Sequence, residues 1–429
     1  MDLAELAHAR FVELKAQPDP GPCRLRSGAL PPMAALEQLL SITFQASLLR
    51  EEDRPVRFRL FLGEPERLPQ HGGPPDGLHR LRFESPRTLH EQELRRLSQA
   101  AKYHRSLIGV RDGGAGFEIW GIVQSGPRWL QSARGGRDLP SPVPYDAVVI
   151  RADGPGHVAV AIGDVTLAEL RAGHLAGGVT NVFHSRWLGE RFAQSRCALL
   201  EEHVAEMGEP VVPLDIATIR SVSQQMVKRI IATIQDSAHG GAVVFVPHER
   251  VPGVIGSKGS LHLKYAFAEE EPRERYRNLI RAVLRELRAE ALASSSRPTR
   301  MDWALYQAST RAEIARLDEA IMEMSHLIAG LSAVDGVVVL SERFELLGFG
   351  GEIVGSLPDV TTIRRALDLE GTRYDEVPID AVGTRHRAVY RLCAQEPSAF
   401  AVIVSQDGDV QFVAWHDDGL MYWKHRNVP

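Results

Sequence analysis

The chain contains 429 residues, with 50 lysines and arginines against 55 aspartates and glutamates, which gives a formal charge of -5. This length favours two or three domains over a single core. With 44% hydrophobic and 24% charged residues, the composition is that of an ordinary folded protein, which excludes general disorder and a fibrous repeat. The slight negative excess gives no field that would hold a phosphate backbone, so nucleic acid is not an expected partner.

The cysteines and the start of the chain indicate a reducing, aqueous environment. Cys23, Cys197 and Cys393 are odd in number and widely spaced, which fits neither a disulfide framework nor a zinc site. The segment Met1–Leu6 carries acids where a secretory signal needs a basic region. No apolar run approaches the roughly 20 residues that span a bilayer. We therefore expect a cytoplasmic protein with no membrane partner.

The first half of the chain has the pattern of a mixed α/β domain. Alternating polar and apolar residues, or short apolar runs, predict strands. These strands are Arg57–Leu62, Phe117–Val123, Ala147–Ile150 and His157–Ile162. Helices are expected over residues 1–45, between Leu89 and Tyr103, and at Leu167–Arg171. A helical stretch near residues 186–208 closes this domain, which we place at residues 1–208.

A second domain is predicted from residue 209 to residue 429, after the prolines of Pro210–Pro213, which disfavour regular structure. Apolar residues four apart predict a helix around Met226 and a longer one over Ile314–Leu331. Strands are predicted at Ala242–Val246, Leu261–Phe267, Val337–Leu340, Phe344–Phe349, Ala401–Val404 and Val410–Trp415. The charged, helix-prone residues 268–310 are interpreted as a surface insertion. Helices and strands therefore occur in both halves, and the chain is expected to be of the α/β class.

The densest group of phosphate-binding side chains is Gly383-Thr384-Arg385-His386-Arg387, at the predicted start of a helix. Guanidinium groups offer forked donors that match phosphate oxygens, and the free N–H groups of a helix start add positive partial charge. A solvated basic helix start without function is the competing interpretation. The residues alone do not decide between the two.

A single carboxylate, that of Asp335, lies between the long helix and a buried strand, and is followed by Gly336. Mg²⁺ or Mn²⁺ would prefer such an oxygen ligand together with substrate phosphates, and glycine lets a ligand approach the backbone. An ordinary turn aspartate is the simpler reading of Asp-Gly taken alone. The 16 histidines show no metal-binding spacing, so a zinc enzyme is not expected.

Together these groups resemble the diadenylate cyclase family, which is marked by a DGA motif and a GTRHR motif on neighbouring elements. The likeness covers roughly residues 215–425 and includes the helices and strands that precede and follow both motifs. It implies a seven-stranded mixed sheet and the condensation of two ATP molecules into cyclic di-AMP with release of two pyrophosphates. It also implies a homo-oligomer in which two such domains face each other.

Functional residues follow from the resemblance position by position. Asp335 would bind the metal and help to activate the attacking hydroxyl group, while Gly336 and Val337 would approach the nucleotide through their backbone. Phosphates would be held by Thr384, Arg385, His386 and Arg387, which follow Gly383. Leu347, Gly348 and Phe349 would contact adenine, although a bulged strand is an equally good interpretation, and Ser405 is the next candidate.

Two positions depart from the family pattern. Val337 replaces the usual alanine, and Gln406 followed by Asp407 stands where several members carry a glutamate. The alternative function is therefore a nucleotide-binding sensor that has lost turnover. A regulator associated with nucleic acid is disfavoured by the negative charge.

The first half is similar to the sensor regions, of the type called DACNV, that accompany some bacterial diadenylate cyclase domains. The likeness rests on the turn Arg151–His157 with the strand after it, and on Leu170–His174. It implies a regulatory domain of unknown ligand. A domain that only fixes the geometry of an oligomer is the alternative.

Overall fold

The computed structural model describes residues 2–16, 29–68, 73–74, 77–126, 135–137, 146–163, 165–171, 173–177, 181–207, 212–237, 239–256, 259–293, 300–355, 358–380 and 382–425. The chain divides into two compact units. The first comprises residues 1–133, 139–179 and 428–429, and the second comprises residues 134–138 and 180–427. Both contain helices and mixed sheets, so the predicted α/β class is confirmed.

The first unit is built on an eight-stranded sheet, counted over its described residues. Its strands are β3 (Phe58–Leu62), β4 (His79–Thr88), β5 (Ser106–Asp112), β6 (Phe117–Gln124), β7 (Val148–Gly154), β8 (His157–Ile162), β9 (Val165–Arg171) and β10 (His174–Gly177). They are arranged in the order β10-β9-β8-β7-β3-β5-β6-β4. A separate ribbon joins β1 (Arg50–Glu51) to β2 (Arg54–Pro55).

Among the described residues of this unit, three helices bury one face of the sheet: α1 (Leu3–Ala16), α2 (Met33–Ser47) and α3 (Glu91–Ala100). Their apolar residues, such as Phe11, Leu39 and Leu94, share a core with alternate residues of the strands, such as Leu60 and Ile150. The opposite face carries a smaller apolar cluster around Phe61 and Trp120, whose rings pack edge to face. The sheet therefore has one large helical core and a second, partly polar face.

The helix predicted at Leu167–Arg171 is wrong, because these residues belong to β9. They pair with β8 in an antiparallel ladder in which Val158 lies opposite Leu170. Five residues contain too little periodicity to separate a short helix from a strand, and pairing with the rest of the sheet decides the outcome.

The second unit is built on a nine-stranded sheet, again counted over the described part of the chain. Its strands are β11 (Gly241–Val246), β12 (Leu261–Ala266), β13 (Val337–Ser341), β14 (Leu346–Ile353), β15 (Thr362–Ala366), β16 (Tyr374–Pro378), β17 (Phe400–Val404), β18 (Val410–His416) and β19 (Gly419–His425). Their order is β12-β14-β13-β11-β17-β18-β19-β15-β16. The resemblance implies seven strands, so the observed sheet has two more, and the hairpin β15–β16 lies at one end of it.

Helices cover both faces of this sheet. They are α4 (Arg186–Arg191), α5 (Ala193–Met207), α6 (Ile216–Ser237), α7 (Val251–Val254), α8 (Glu271–Ala293), α9 (Trp303–Ala308), α10 (Ala312–Leu331) and α11 (Thr384–Gln395). Helices α6, α8 and α10 share one core with Phe245 and Phe400. Helix α11 packs on the other face, where Val389 and Leu392 meet Val244 and Ile403.

The change between the two units falls near residue 180, earlier than the predicted boundary at 208. Residues 180–207 belong to the second unit, because Phe183 and Leu199 share its core with Met226. Trp187 also stacks on Trp423, with ring centroids 4.3 Å apart. Pro210 and Val211, the first two residues of the predicted linker Pro210–Pro213, lie outside the described residues.

Helix α8 is not the surface insertion that its charge suggested. Tyr276, Ile280, Val283 and Leu287 are buried in the core that α8 shares with α6 and α10. These residues recur every three or four positions, so α8 has a buried face despite its many charges. Within the described residues, no helix combines the length and the apolar character needed to cross a bilayer.

Candidate active site

One edge of the second sheet collects the ends of four strands. Asp335 lies just before β13 and Gly240 just before β11, and these two strands are parallel neighbours. Ser405 follows β17, which is antiparallel to β11, and β14 reaches the same edge because it is antiparallel to β13. Ligands in doubly wound folds bind at the carboxyl ends of parallel strands. Here Asp335 lies instead at the amino ends of β11 and β13.

A cleft of 1160 Å³ opens at this edge. It brings Asp335 together with the start of α11, nearly fifty positions later in the chain. The predicted site residues that line it are Asp335, Gly336, Val337, Gly383, Thr384, Arg385, His386 and Ser405. The sequence expectation that an acidic group and a basic helix start meet at one cavity therefore agrees with the geometry.

Asp335 presents an available carboxylate to the cleft. The residue is exposed, and among the described residues its side chain has neither a hydrogen bond nor an ion pair. Gly336 has a φ of +114°, and a Cβ atom there would lie 2.7 Å from the backbone carbon of Gly350. Glycine is required at this position because β14 passes so close to the chain. That approach fixes the backbone from which Asp335 projects.

The valine that departs from the family pattern is accommodated within the sheet. Val337 is 3% exposed and lies opposite Gly351 in the β13–β14 register. A Cβ atom on Gly351 would lie 2.9 Å from Cγ2 of Val337. One methyl group of the valine therefore occupies the space that the missing side chain of Gly351 leaves.

The N-terminus of helix α11 lies at the cleft and has no side-chain cap. Gly383 is the N-cap and supplies no side-chain hydrogen bond, so the positive end of the helix is left for an anion. Arg385 lies beside the loop before β11, since a Cβ atom on Gly240 would be 3.1 Å from its Nη1. Within the described part of the chain, no carboxylate pairs with Arg385. A half-buried cation thus stands next to a free helix start.

The surroundings of His386 favour its neutral form. Burial, together with the charge of Arg385, lowers the pKa of His386 below its ordinary value. The carboxylates of Asp407 and Asp409 act in the opposite direction without reversing the shift. At neutral pH the imidazole can therefore donate one hydrogen bond and accept another, and it does not add a second positive charge to the helix start.

Four predicted site residues are not part of the cleft lining. Leu347 is buried in the core beneath α11. Gly348 packs against the backbone of β12, and Phe349 stacks on Tyr265 with ring centroids 4.6 Å apart. Arg387 also lies outside the lining, although it belongs to the first turn of α11. The part of β14 that lines the cleft is instead its carboxyl end, at residues 351–354.

Ser405 is engaged in a turn as well as lining the cleft. Its hydroxyl group hydrogen-bonds to the carboxylate of Asp407 and lies 3.1 Å from the backbone oxygen of Asp409. Gln406 and Asp407 line the cleft beside it. The position where some family members carry a glutamate thus faces the cavity, and the carboxylate in this chain comes one residue later.

An ion pair between two neighbouring strands, which the sequence pattern does not predict, forms part of the cleft wall. Nζ of Lys264 on β12 lies 2.8 Å from Oε1 of Glu352 on β14, and both residues line the cavity. The hydrogen bond and charge of Glu352 raise the pKa of Lys264, and the charge of Asp335 adds to the shift. The sequence offers one signal for this residue: Lys264 lies within the predicted strand Leu261–Phe267, which precedes Asp335-Gly336 in the chain. Its pairing with Glu352 depends on the β12–β14 register.

The side chains that line the cleft could bind a divalent cation only together with phosphate oxygens of a substrate. Among the described residues there is no group of three or more histidine, cysteine or acidic side chains that could hold a metal ion. Asp335 supplies one free carboxylate. Mg²⁺ in phosphoryl-transfer sites is commonly bound by one or two carboxylates together with substrate phosphates. The residues present match that mode rather than a cage made only of protein.

Comparisons with known proteins bear on the first unit. A family model described as "Probable sensor domain DACNV" matches residues 26–124. The likeness predicted for this half of the chain is confirmed there. The features on which the prediction rested, Arg151–His157 and Leu170–His174, fall outside the match. This DACNV segment, residues 26–124, includes α2, α3 and strands β3 to β6.

Curated proteins and solved structures give no further indication of fold or function. No curated protein matches the chain. A solved structure, described as a hypothetical membrane spanning protein from Bacillus cereus, aligns at 13% sequence identity with a TM-score of 0.24. The alignment covers 57% of this chain and 99% of that chain. A likeness this low does not establish a shared fold, so the chemistry of the second unit must be argued from its cleft.

Proposed function

We propose that the second unit is a diadenylate cyclase that condenses two ATP molecules into cyclic di-AMP. The observation that carries the proposal is the shared cleft, in which the free carboxylate of Asp335 faces the uncapped, arginine-bearing start of α11. A triphosphate needs both features, because its oxygens seek cations and N–H donors while its metal ion seeks a carboxylate.

The reaction is two equal transfers. In each, the 3'-oxygen of one nucleotide forms a bond to the α-phosphorus of the other, and the bond from that phosphorus to the bridging oxygen breaks. Pyrophosphate leaves with the electron pair, and the hydroxyl proton passes to a base. Enzymes speed such transfers by positioning the reactants and by stabilising the negative charge that develops.

The residues that line the cleft would have different roles in this reaction. The N–H groups at the start of α11, with Thr384 and Arg385, bind phosphate oxygens. Neutral His386 supplies a hydrogen bond beside them. Asp335 would orient the attacking hydroxyl group and would hold Mg²⁺ or Mn²⁺ together with ATP phosphates, and the metal ion would supply positive charge that neutralises part of the phosphate charge. Lys264, held by Glu352, adds a cation to the same cleft.

Two copies of the chain are needed for one product. One cleft holds one ATP, and the 3'-oxygen of each nucleotide must reach the α-phosphorus of the other. We therefore propose a homo-oligomer with clefts face to face. The sensor-like first unit would control how often two clefts meet, which is the regulatory role that its DACNV segment suggests.

The alternative, a nucleotide-binding domain without turnover, rested partly on Val337. Val337 has two more methyl groups than the alanine of the family pattern. One of them, Cγ2, packs against Gly351 within the sheet, which favours an enzyme that has kept its activity. Gln406 remains the feature that favours the alternative, because it lines the cleft where some family members carry a glutamate.

The test is incubation of the purified chain with ATP and either Mg²⁺ or Mn²⁺, followed by chromatography for cyclic di-AMP and a pyrophosphate assay. We expect two pyrophosphates for each cyclic product. ATP binding without product under either metal would instead support the nucleotide-binding alternative. Absence of both binding and product would remove both functions.

A further inference from the structure

The second unit contains a pocket on the face of its sheet that α6 and α8 cover. Its walls come from residues 183–199, from both helices, from the loop after β13 and from strands β17 and β18, and its volume is 50 Å³. We call it the connector pocket, because residues 183–199 follow the first unit in the chain. Among the described residues, it shares no lining residue with the cleft at Asp335. Since protein cores leave few voids larger than a water molecule, a pocket of this size calls for an explanation.

The interior of the connector pocket is apolar. Leu199, Ile280 and Phe400 line it and are at most 3% exposed. The side-chain amide of Gln224, a polar group of the lining, donates a hydrogen bond to the backbone oxygen of Phe183 at 2.7 Å. A trapped water molecule needs several polar partners, which such walls do not offer. The interior therefore suits an apolar group.

The volume limits the size of that group. A single water molecule needs about 10–15 Å³ of such a volume, so the pocket holds roughly four groups of similar size. A nucleobase or a long acyl chain is too large for it, whereas a short aliphatic chain fits.

Several cationic side chains lie at the pocket. Four arginines are among the described residues that line it: Arg196, Arg220, Arg277 and Arg343. Two of them have partners within the protein. Arg277 on α8 forms an ion pair with Glu202 on α5. Nη2 of Arg220 donates to the backbone oxygen of Phe183 at 2.7 Å and to that of Ser185 at 3.2 Å.

Arg196 and Arg343 remain for a ligand. Both are partly exposed, and neither forms an ion pair within the part of the chain that the structure describes. Burial and the charge of Arg220 lower the pKa of Arg196, with no carboxylate among the groups that act on it. The carboxyl group next to Arg343 in the chain, that of Glu342, is acted on by Arg191 instead. An anionic group at the mouth of the pocket would therefore meet two cations that no carboxylate already occupies.

We propose that the connector pocket binds a small aliphatic carboxylate, whose chain of about four carbon atoms packs beside Leu199 and Ile280 and whose carboxylate meets Arg196 and Arg343. The forked donors of arginine match the two oxygens of a carboxylate. Because the ligand contacts residues 183–199 as well as α6 and α8, it fastens the segment that follows the first unit to the core of the second. This site uses none of the residues proposed for the cyclase reaction.

The experiment measures calorimetric binding and thermal unfolding of the full chain with sodium pentanoate, against sodium chloride at equal ionic strength. At about ten times the dissociation constant, pentanoate should raise the unfolding midpoint of the second unit by about 3–5 °C. Acetate lacks the apolar chain and 1-pentanol lacks the charge, so each should bind at least about tenfold more weakly. Hydrogen exchange should slow in α4 and α5 when pentanoate is bound.

Substitutions in the pocket test the two parts of the site separately. Arg196→Gln should weaken pentanoate binding at least about tenfold, because it removes a charge-assisted hydrogen bond. Ser195→Leu adds apolar bulk to the lining and should abolish binding. Arg186→Gln, at a side chain that is 82% exposed and outside the lining, is the matched control and should bind normally. Arg385→Gln should also bind normally, which separates this site from the cleft.

Unfolding midpoints without ligand show whether each variant folds. Three results would overturn the proposal: wild type that does not bind pentanoate, acetate or 1-pentanol that binds as tightly as pentanoate, or pentanoate binding that survives both Arg196→Gln and Ser195→Leu.

Discussion

Val337 and Gly351 fit each other across the β13–β14 pair: a Cβ atom on Gly351 would lie 2.9 Å from Cγ2 of Val337 and 3.1 Å from its backbone oxygen. Gly351 on β14 has no side chain and therefore leaves room for Val337, the residue that follows Asp335-Gly336. This contact explains how a valine is tolerated at the wall of the cleft.

The contact predicts coupling between the two positions. Gly351→Ala should lower the free energy of unfolding by about 1–3 kcal/mol, because the new methyl group collides with the valine. Combined with Val337→Ala, the loss should be smaller than the sum of the single changes by at least about 0.5 kcal/mol. Denaturant unfolding measures all four proteins. Gly253→Ala, where a Cβ atom meets nothing within 4 Å, is the control and should combine additively with Val337→Ala. Additivity at Gly351 as well would contradict the contact.

Asp335→Asn should abolish cyclic di-AMP formation and leave the fold intact. The change removes the free carboxylate of the cleft while keeping its shape, and circular dichroism with thermal unfolding checks the fold. Asp359→Asn is the matched control, because Asp359 is 87% exposed and lies outside the cleft lining. A fully active Asp335→Asn protein would remove the proposed role of this residue in metal binding and hydroxyl orientation.

Arginines on α11 should differ in importance according to their place relative to the cleft. Arg385→Gln should reduce the rate of product formation at least about 100-fold, as expected when a donor to the transition state is removed. Arg387→Gln should cost less, since Arg387 lies outside the lining. Arg391→Gln, on the same helix and facing Asp359, should change the rate less than about twofold. Equal losses for all three variants would indicate general damage to the helix.

Glu342 should make the second unit less stable as the pH rises. Burial raises the pKa of Glu342 to about 7; Arg191 opposes the shift and Glu249 adds to it. The folded state therefore keeps a proton that the unfolded state loses at about 4.5, so stability declines between these two values as pH increases. Glu342→Gln should be more stable than wild type at pH 8 and close to it at pH 4.5. Unfolding midpoints measured across this range check the sign, and an unchanged pH profile in Glu342→Gln would refute it.

Local patterns were sufficient for the elements that frame the cleft. The four-residue spacing around Met226 predicts α6, and the apolar run Ala242–Val246 predicts β11. Both predictions are confirmed because the apolar residues of these segments are the ones that the fold buries. The two motifs also meet as expected. They do so because the helix before Asp335 and the loop before Gly383 deliver the chain to the same cleft.

Other features depend on contacts between distant residues. The pairing of Lys264 with Glu352 needs the β12–β14 register, which no local pattern contains. The charges of helix α8 mask its buried face, and Phe349 stacks on Tyr265 and is not part of the cleft lining. The connector pocket likewise depends on contacts between α5, α6 and α8, which are separate segments of the chain.

The central claim is that Asp335 and the start of α11 act on one triphosphate. A crystal structure of the chain with 3'-deoxy-ATP and Mg²⁺ tests it directly, since this analogue lacks the attacking hydroxyl group and cannot be consumed. We predict phosphate oxygens at the N–H groups of α11 and at Arg385, with a magnesium ion between the phosphates and Asp335. A triphosphate bound elsewhere, or bound here without contact to either group, would contradict the account.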